Sequence, residues 1–120
     1  MPKRKSILTI SRDAKLQHLR TLVLEHGGYL VATALNDKDA LRLIEEANSF
    51  DLVFLCHSVP ESSRVSLVAR IKELKPGLPV LVLYNGYDPT NAKVDGSLHN
   101  LDTPESMLEM VAFLTRNITV

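Results

Sequence analysis

The hydrophobic pattern of this chain predicts a doubly wound α/β domain, with a parallel sheet covered by helices on both faces. Two observations carry that expectation. Short β-rich runs alternate with longer helical patterns from Ile7 to the last helix, and parallel neighbours need such crossovers because a tight hairpin cannot join them. The middle run, Leu52-Val53-Phe54-Leu55-Cys56, is apolar without alternation, as expected of a central strand buried on both faces.

Each element has a local reason. Ile7 to Ile10 is a compact strand, and Ser11-Arg12-Asp13 follows it, with Asp13 placed to cap a helix from Ala14 to about Glu25. Gly27-Gly28 supplies the backbone freedom that ends that helix. Leu30 to Ala34 reads as the second strand, and Asn36-Asp37 opens a helix whose apolar face holds Ala40, Leu41, Leu43, Ile44 and Ala47. After the central run, Ser62 to Leu74 is helical until Pro76-Gly77, and Pro79 leads into the strand Val80 to Tyr84. Beyond Asn85-Gly86 the pattern weakens to a poor helix near 91–94 and a short strand around Ser97-Leu98. Thr103-Pro104-Glu105 starts the last helix, with proline at its first position, and it runs to about Arg116. Met107, Met110, Val111 and Leu114 make its inward stripe, and Phe113 falls off it.

Composition narrows the function classes. The 120 residues, 45% of them apolar, suit one domain over 1–120 with its core at about 6–116. Fourteen basic residues balance fourteen acidic ones, so no global field draws nucleic acid or an anionic membrane. The basic cluster Pro2 to Lys5 reads as a solvated terminus. A single cysteine excludes an internal disulfide. No apolar window reaches the roughly 20 residues of a transmembrane helix, and the first apolar run is too short for a signal peptide. A cytoplasmic protein is expected.

In sheets of this kind chemistry gathers beyond the carboxyl ends of the strands. That directs attention to Ser11 and Arg12, Cys56, Tyr84 and Asn85, and Asn100.

Order and spacing carry a resemblance to response-regulator receiver domains over about Ser6 to Thr115. Asp51-Leu-Val-Phe-Leu-Cys56-His-Ser-Val-Pro60 resembles their third strand, in which the polar residue four positions before proline is a phosphoacceptor aspartate. Ile7 to Asp13 resembles their first strand and its acidic run, Leu78 to Tyr84 their fourth strand, and Pro104 to Leu108 the start of their last helix. The resemblance implies a flavodoxin-like sheet in the order 2-1-3-4-5. It also implies a pair of carboxylates for magnesium, an aspartate acceptor, a small hydroxyl and a lysine, and a strand-five aromatic that swings on activation. At those positions this chain has Ser11 and Arg12, Cys56, Tyr84, Asn100 and Ser97. Leu101 also stands where a proline would favour a cis peptide.

The departures have a chemical meaning. A hydroxyl beside a guanidinium is a poor ligand set for magnesium, which wants carboxylate oxygens. Asp13 supplies one nearby carboxylate, which helix capping would occupy. Phosphoryl transfer depends mostly on positioning and charge stabilisation, and the lysine's charge is missing at Asn100. The expectation is a degenerate receiver, with no enzymatic activity, no cofactor and no metal, serving as a phosphorylation-independent protein-interaction module in bacterial signalling.

Several residues carry more than one reading. Cys56 fits a small packing residue, a reactive thiol whose pKa Arg12 would lower, or, more weakly, a metal ligand beside His57, although adjacent strand residues point to opposite faces. A thiol switch or residual phosphotransfer at Cys56 is therefore the alternative function. His57 reads as a loop histidine, and His26 as favourable to the dipole of its helix. Arg12 either pairs locally or turns the pocket toward anions. Phe113 either covers a loop or forms a dimer or docking contact, and Tyr84 and Tyr87 could be presented to a partner. A dimerisation unit cut from a longer protein is a third reading.

Overall fold

The computed structural model describes residues 4–46, 50–84, 94–99 and 103–116. The elements follow in the order β1 (Ser6–Ile10), α1 (Ala14–His26), β2 (Leu30–Ala34), α2 (Asp37–Glu46), β3 (Leu52–Leu55), α3 (Glu61–Leu74), β4 (Val80–Tyr84), β5 (Gly96–His99) and α4 (Pro104–Arg116). All pairings are parallel, and the five strands lie in the order β2-β1-β3-β4-β5. The predicted doubly wound sheet and its order are therefore observed. Of the weak helix expected near 91–94, only Val94 is described, and it is not helical.

Strand parity divides the core into two layers. Leu8, Ile10, Val53, Leu55, Val80 and Val82 point to the face covered by α2 and α3, where they meet Ala40, Ile44, Leu67, Val68 and Ile71. Ile7, Leu52, Phe54, Leu81, Leu83 and Leu98 point to the other face and meet Leu24 of α1 and Met107 and Val111 of α4. Every residue of β3 is buried, because helices cover both of its faces. Burying such aliphatic and aromatic side chains contributes roughly 1.5–3 kcal/mol each, which makes β3 the mechanical centre of the sheet.

The ends of α1 follow their sequence signals. The Asp13 carboxylate accepts from the backbone N–H groups of Lys15 and Leu16 at 3.0 and 3.1 Å, satisfying donors that have no partner inside the helix. At the other end Gly28 has φ +98°, a conformation that an L side chain rarely adopts. His26 lies in the last turn, as the dipole favours.

Unlike α4, whose Met107 and Val111 are buried as the stripe predicts, α1 turns polar residues inward. Gln17 is buried, and its amide donates to the carbonyls of Thr9 and Ala34, each at 3.0 Å. It ties α1 to β1 and β2. Leu19 and Leu22, in contrast, are exposed.

Candidate functional site

Beyond the carboxyl ends of β1 and β3 the ladder runs on for one residue. The N–H of Ser11 donates to the carbonyl of Ala34 at 3.1 Å, and that of Cys56 donates to the carbonyl of Ile10 at 2.9 Å. Both residues are thereby fixed by backbone hydrogen bonds, and both are fully buried.

A hydroxyl chain occupies the space beside them. The backbone N–H of Arg12 donates to Ser58 Oγ at 2.9 Å, Ser58 Oγ lies 3.0 Å from Ser11 Oγ, and Ser11 Oγ lies 3.0 Å from the Asp13 carbonyl. Each hydroxyl has one proton. A direction that satisfies all three contacts runs from Arg12 through Ser58 and Ser11 to the Asp13 carbonyl. The N–H of Asp13 also donates to Ser11 Oγ at 3.0 Å. The loop after β3 is thus stitched to the loop after β1 by two neutral hydroxyls.

The residues present do not fit magnesium. Ser11 is enclosed in that chain, and the Asp13 carboxylate accepts from the first turn of α1. Asp37, at the start of α2, pairs with Arg12 at 2.9 Å. Among the described residues no group of three or more His, Cys, Asp or Glu side chains converges anywhere. Hard divalent cations need converging oxygen ligands, and carboxylates supply most of their charge compensation.

Arg12 pairs locally, the first of its two readings. It does not approach the thiol to lower its pKa, nor does it turn the pocket toward anions: its guanidinium crosses to the α2 side and pairs with Asp37. Asp37, at the start of α2, supplies the carboxylate that draws it there. Cys56 belongs to the layer facing α1 and α4. The cation that acts on it is Arg20 of α1.

Burial outweighs that cation. Desolvation pushes the Cys56 thiol from 9.0 up to about 11, against smaller opposing effects of the Arg20 charge and the nearby Ser11 side chain. A thiol in that state is a protonated packing group at neutral pH, with little thiolate character. The reading of Cys56 as a small buried apolar residue is the one its surroundings support.

His57 is half-buried in the next position. Arg20 Nη2 lies 3.4 Å from its Nδ1, and because a guanidinium only donates, Nδ1 accepts. Burial, and then the Arg20 charge, hold the His57 pKa below its ordinary value, with Asp13 acting in the opposite direction. Both effects favour a neutral ring. Arg20 was not among the residues singled out by sequence, nor were Ser58 and Gln17. The available signal was the spacing of Gln17, Arg20 and Leu24 along one helical stripe, which places a guanidinium among inward-facing residues.

Tyr84 ends β4 and stacks edge to face on His99, with ring centroids 5.3 Å apart. Its ring is engaged with β5. Ser97 pairs with Val82 in the middle of β5. Asn100, Leu101 and Tyr87 lie outside the described residues. Phe113 is 68% exposed and lines a shallow depression with Leu98, Ser106, Glu109 and Met110.

These features together define a receiver-type flavodoxin-like fold. Solved structures of that class superpose closely on the chain. A two-component response regulator from Clostridium difficile shares 22% identity with a TM-score of 0.84, over 98% of this chain and 100% of that one. A response regulator receiver domain protein from Clostridium thermocellum shares 24% identity with a TM-score of 0.83, over 92% and 94%. A response regulator protein from Burkholderia pseudomallei, solved with a phosphorylated aspartic acid, a calcium ion and citrate, shares 25% identity with a TM-score of 0.77, over 94% and 68%. No protein-family model and no curated protein sequence matches the chain.

Proposed function

We propose that this protein is a pseudo-receiver: a signalling module that works through protein contacts and does not take up a phosphoryl group. One observation carries the proposal. The position at the end of the central strand, which the receiver resemblance gives to an acceptor aspartate, holds a fully buried cysteine whose thiol is pushed up to about 11. Around it stand two hydroxyls, while the Asp13 and Asp37 carboxylates are engaged by the first turn of α1 and by Arg12. Phosphoryl transfer relies on charge stabilisation by metal and cation, and neither the ligand set nor a nucleophile is supplied by these residues.

The proposed partners are signalling proteins, in the cytoplasm of a bacterium, with a second copy of the chain as one of them. The exposed Phe113 beside Glu109 and Met110 on α4 supports a contact surface there, since aromatic residues are enriched at interfaces. The alternative of a thiol switch is opposed by the burial and raised pKa of Cys56.

Incubation with a small phosphodonor and magnesium, followed by intact-mass measurement, tests the central claim. The expected result is an unmodified chain. A stoichiometric, magnesium-dependent phosphate adduct would overturn it.

A further inference from the structure

Between α1 and α4, over the ends of β4 and β5, lies a cleft of about 170 Å³. Its walls are mostly apolar, with Leu16 and Leu19 from α1, Leu83 and Leu98 from the sheet, and Met107 from α4. Arg20 also lines it. Such a composition, an apolar body with few polar groups, is that of a small-molecule site.

The electrostatics of the cleft are incomplete. Arg20 Nη1 is buried and has no hydrogen-bond partner, and its Nη2 meets the neutral-type acceptor His57 Nδ1 rather than a carboxylate. The ion pairs among the described residues engage Arg12, Arg42, Arg70 and Lys72. Arg20 is in none of them. A buried N–H without an acceptor and a guanidinium without a counter-charge are both unfavourable. An anion entering the cleft would supply the missing counter-charge, because a guanidinium matches a carboxylate in shape and in charge.

We propose that this cleft binds a small monocarboxylate with a compact apolar body, its carboxylate on Arg20 and its body against Leu16, Leu83, Leu98 and Met107. The volume sets the size of the ligand. A cavity of about 150 Å³ lined by aliphatic side chains holds benzene, so an aromatic acid of benzoate or phenylacetate size fits a cleft of about 170 Å³. The half-exposed Leu19 at the rim, 59% accessible, would be covered by the outer edge of that ligand. The site lies on the α1 and α4 side of the sheet, with the Arg20 that acts on Cys56 in its wall.

Titration of the isotopically labelled chain with benzoate, benzyl alcohol and benzylamine, followed by nuclear magnetic resonance, tests the assignment. Benzoate is expected to give saturable shifts in residues of α1 and α4, with the alcohol about tenfold or more weaker, the difference a charged hydrogen bond makes. Arg20→Gln should lose the preference for the acid while its spectrum remains that of a folded domain, and Arg20→Lys should retain part of it. Equal binding of acid and alcohol would overturn the assignment. So would the absence of saturation by about 10 mM benzoate, ten times the concentration at which a millimolar site half-fills. A ligand-free dimer that benzoate dissociates would instead give the cleft to a carboxylate of a second copy, and would equally overturn the small-ligand assignment.

Discussion

Cys56, which the receiver resemblance sets at the acceptor position, is a buried thiol with a raised pKa. Its folded-state pKa of about 11 lies above the ordinary 9.0, so the folded protein holds this proton more tightly than the unfolded chain. The stability this contributes is full below pH 9 and is lost as pH rises from 9 toward 11, up to roughly 2–3 kcal/mol. Denaturant unfolding across that range should therefore show a steeper decline in the wild type than in Cys56→Ala. Equal slopes would mean that the thiol is not buried as described. Labelling by a disulfide reagent offers a second check: at pH 8 the ionised fraction should be about 100-fold below that of an ordinary thiol, and unfolding should release the reactivity. His57 is perturbed in the other sense, toward the neutral ring, by burial and by Arg20. The two neighbours together leave the end of β3 uncharged at neutral pH.

The element that organises the site is α1. Its N-terminus is fixed by Asp13, its inner stripe by Gln17, and Arg20 one turn further on reaches the loop after β3. Asp13→Ala should lower stability by about 1 kcal/mol, the usual worth of such a cap, measured by denaturant unfolding, whereas Asp13→Asn should lower it less. An unchanged midpoint for the alanine variant would show that the cap contributes nothing. The Asp13 cap was legible in the sequence because capping is a local event, decided within four residues. The direction of Arg12 was partly within reach, since a local pair was one of its two readings, and Asp37 at the start of α2 is that partner. For Arg20 the only signal was its place on the stripe with Gln17 and Leu24, which does not name the loop it reaches. The helix presents exposed leucines and buried polar groups, so the ordinary rule that the apolar face turns inward gives no guidance.

At the scale of the whole molecule, the described residues place two helices on each face of the sheet and leave α4 with an aromatic residue pointing to solvent. Phe113 is 68% exposed, whereas Met107 and Val111 on the opposite side of α4 close the core. Self-association through this face should weaken by roughly tenfold or more in Phe113→Ala, the scale of an aromatic interface residue, and light scattering over a concentration series would read it. A wild type that remains monomeric, or a variant with an unaltered dissociation constant, removes the dimer contact. The substitution should leave stability nearly unchanged, because little of the side chain is buried.

The sequence by itself determined the sheet, its helices and the identity of the residues at the strand ends, because hydrophobic period, capping and glycine placement act over a few residues. It also carried the resemblance that sets Cys56 at a receiver's acceptor position. Only the tertiary structure decided which charges surround that cysteine. Arg12, a near neighbour of the site in sequence, is drawn away to Asp37, and Arg20, from the body of a helix, takes its place. The reason is that charge and desolvation act through space. Their balance at Cys56 depends on the packing of α1 against the sheet, which no local pattern specifies.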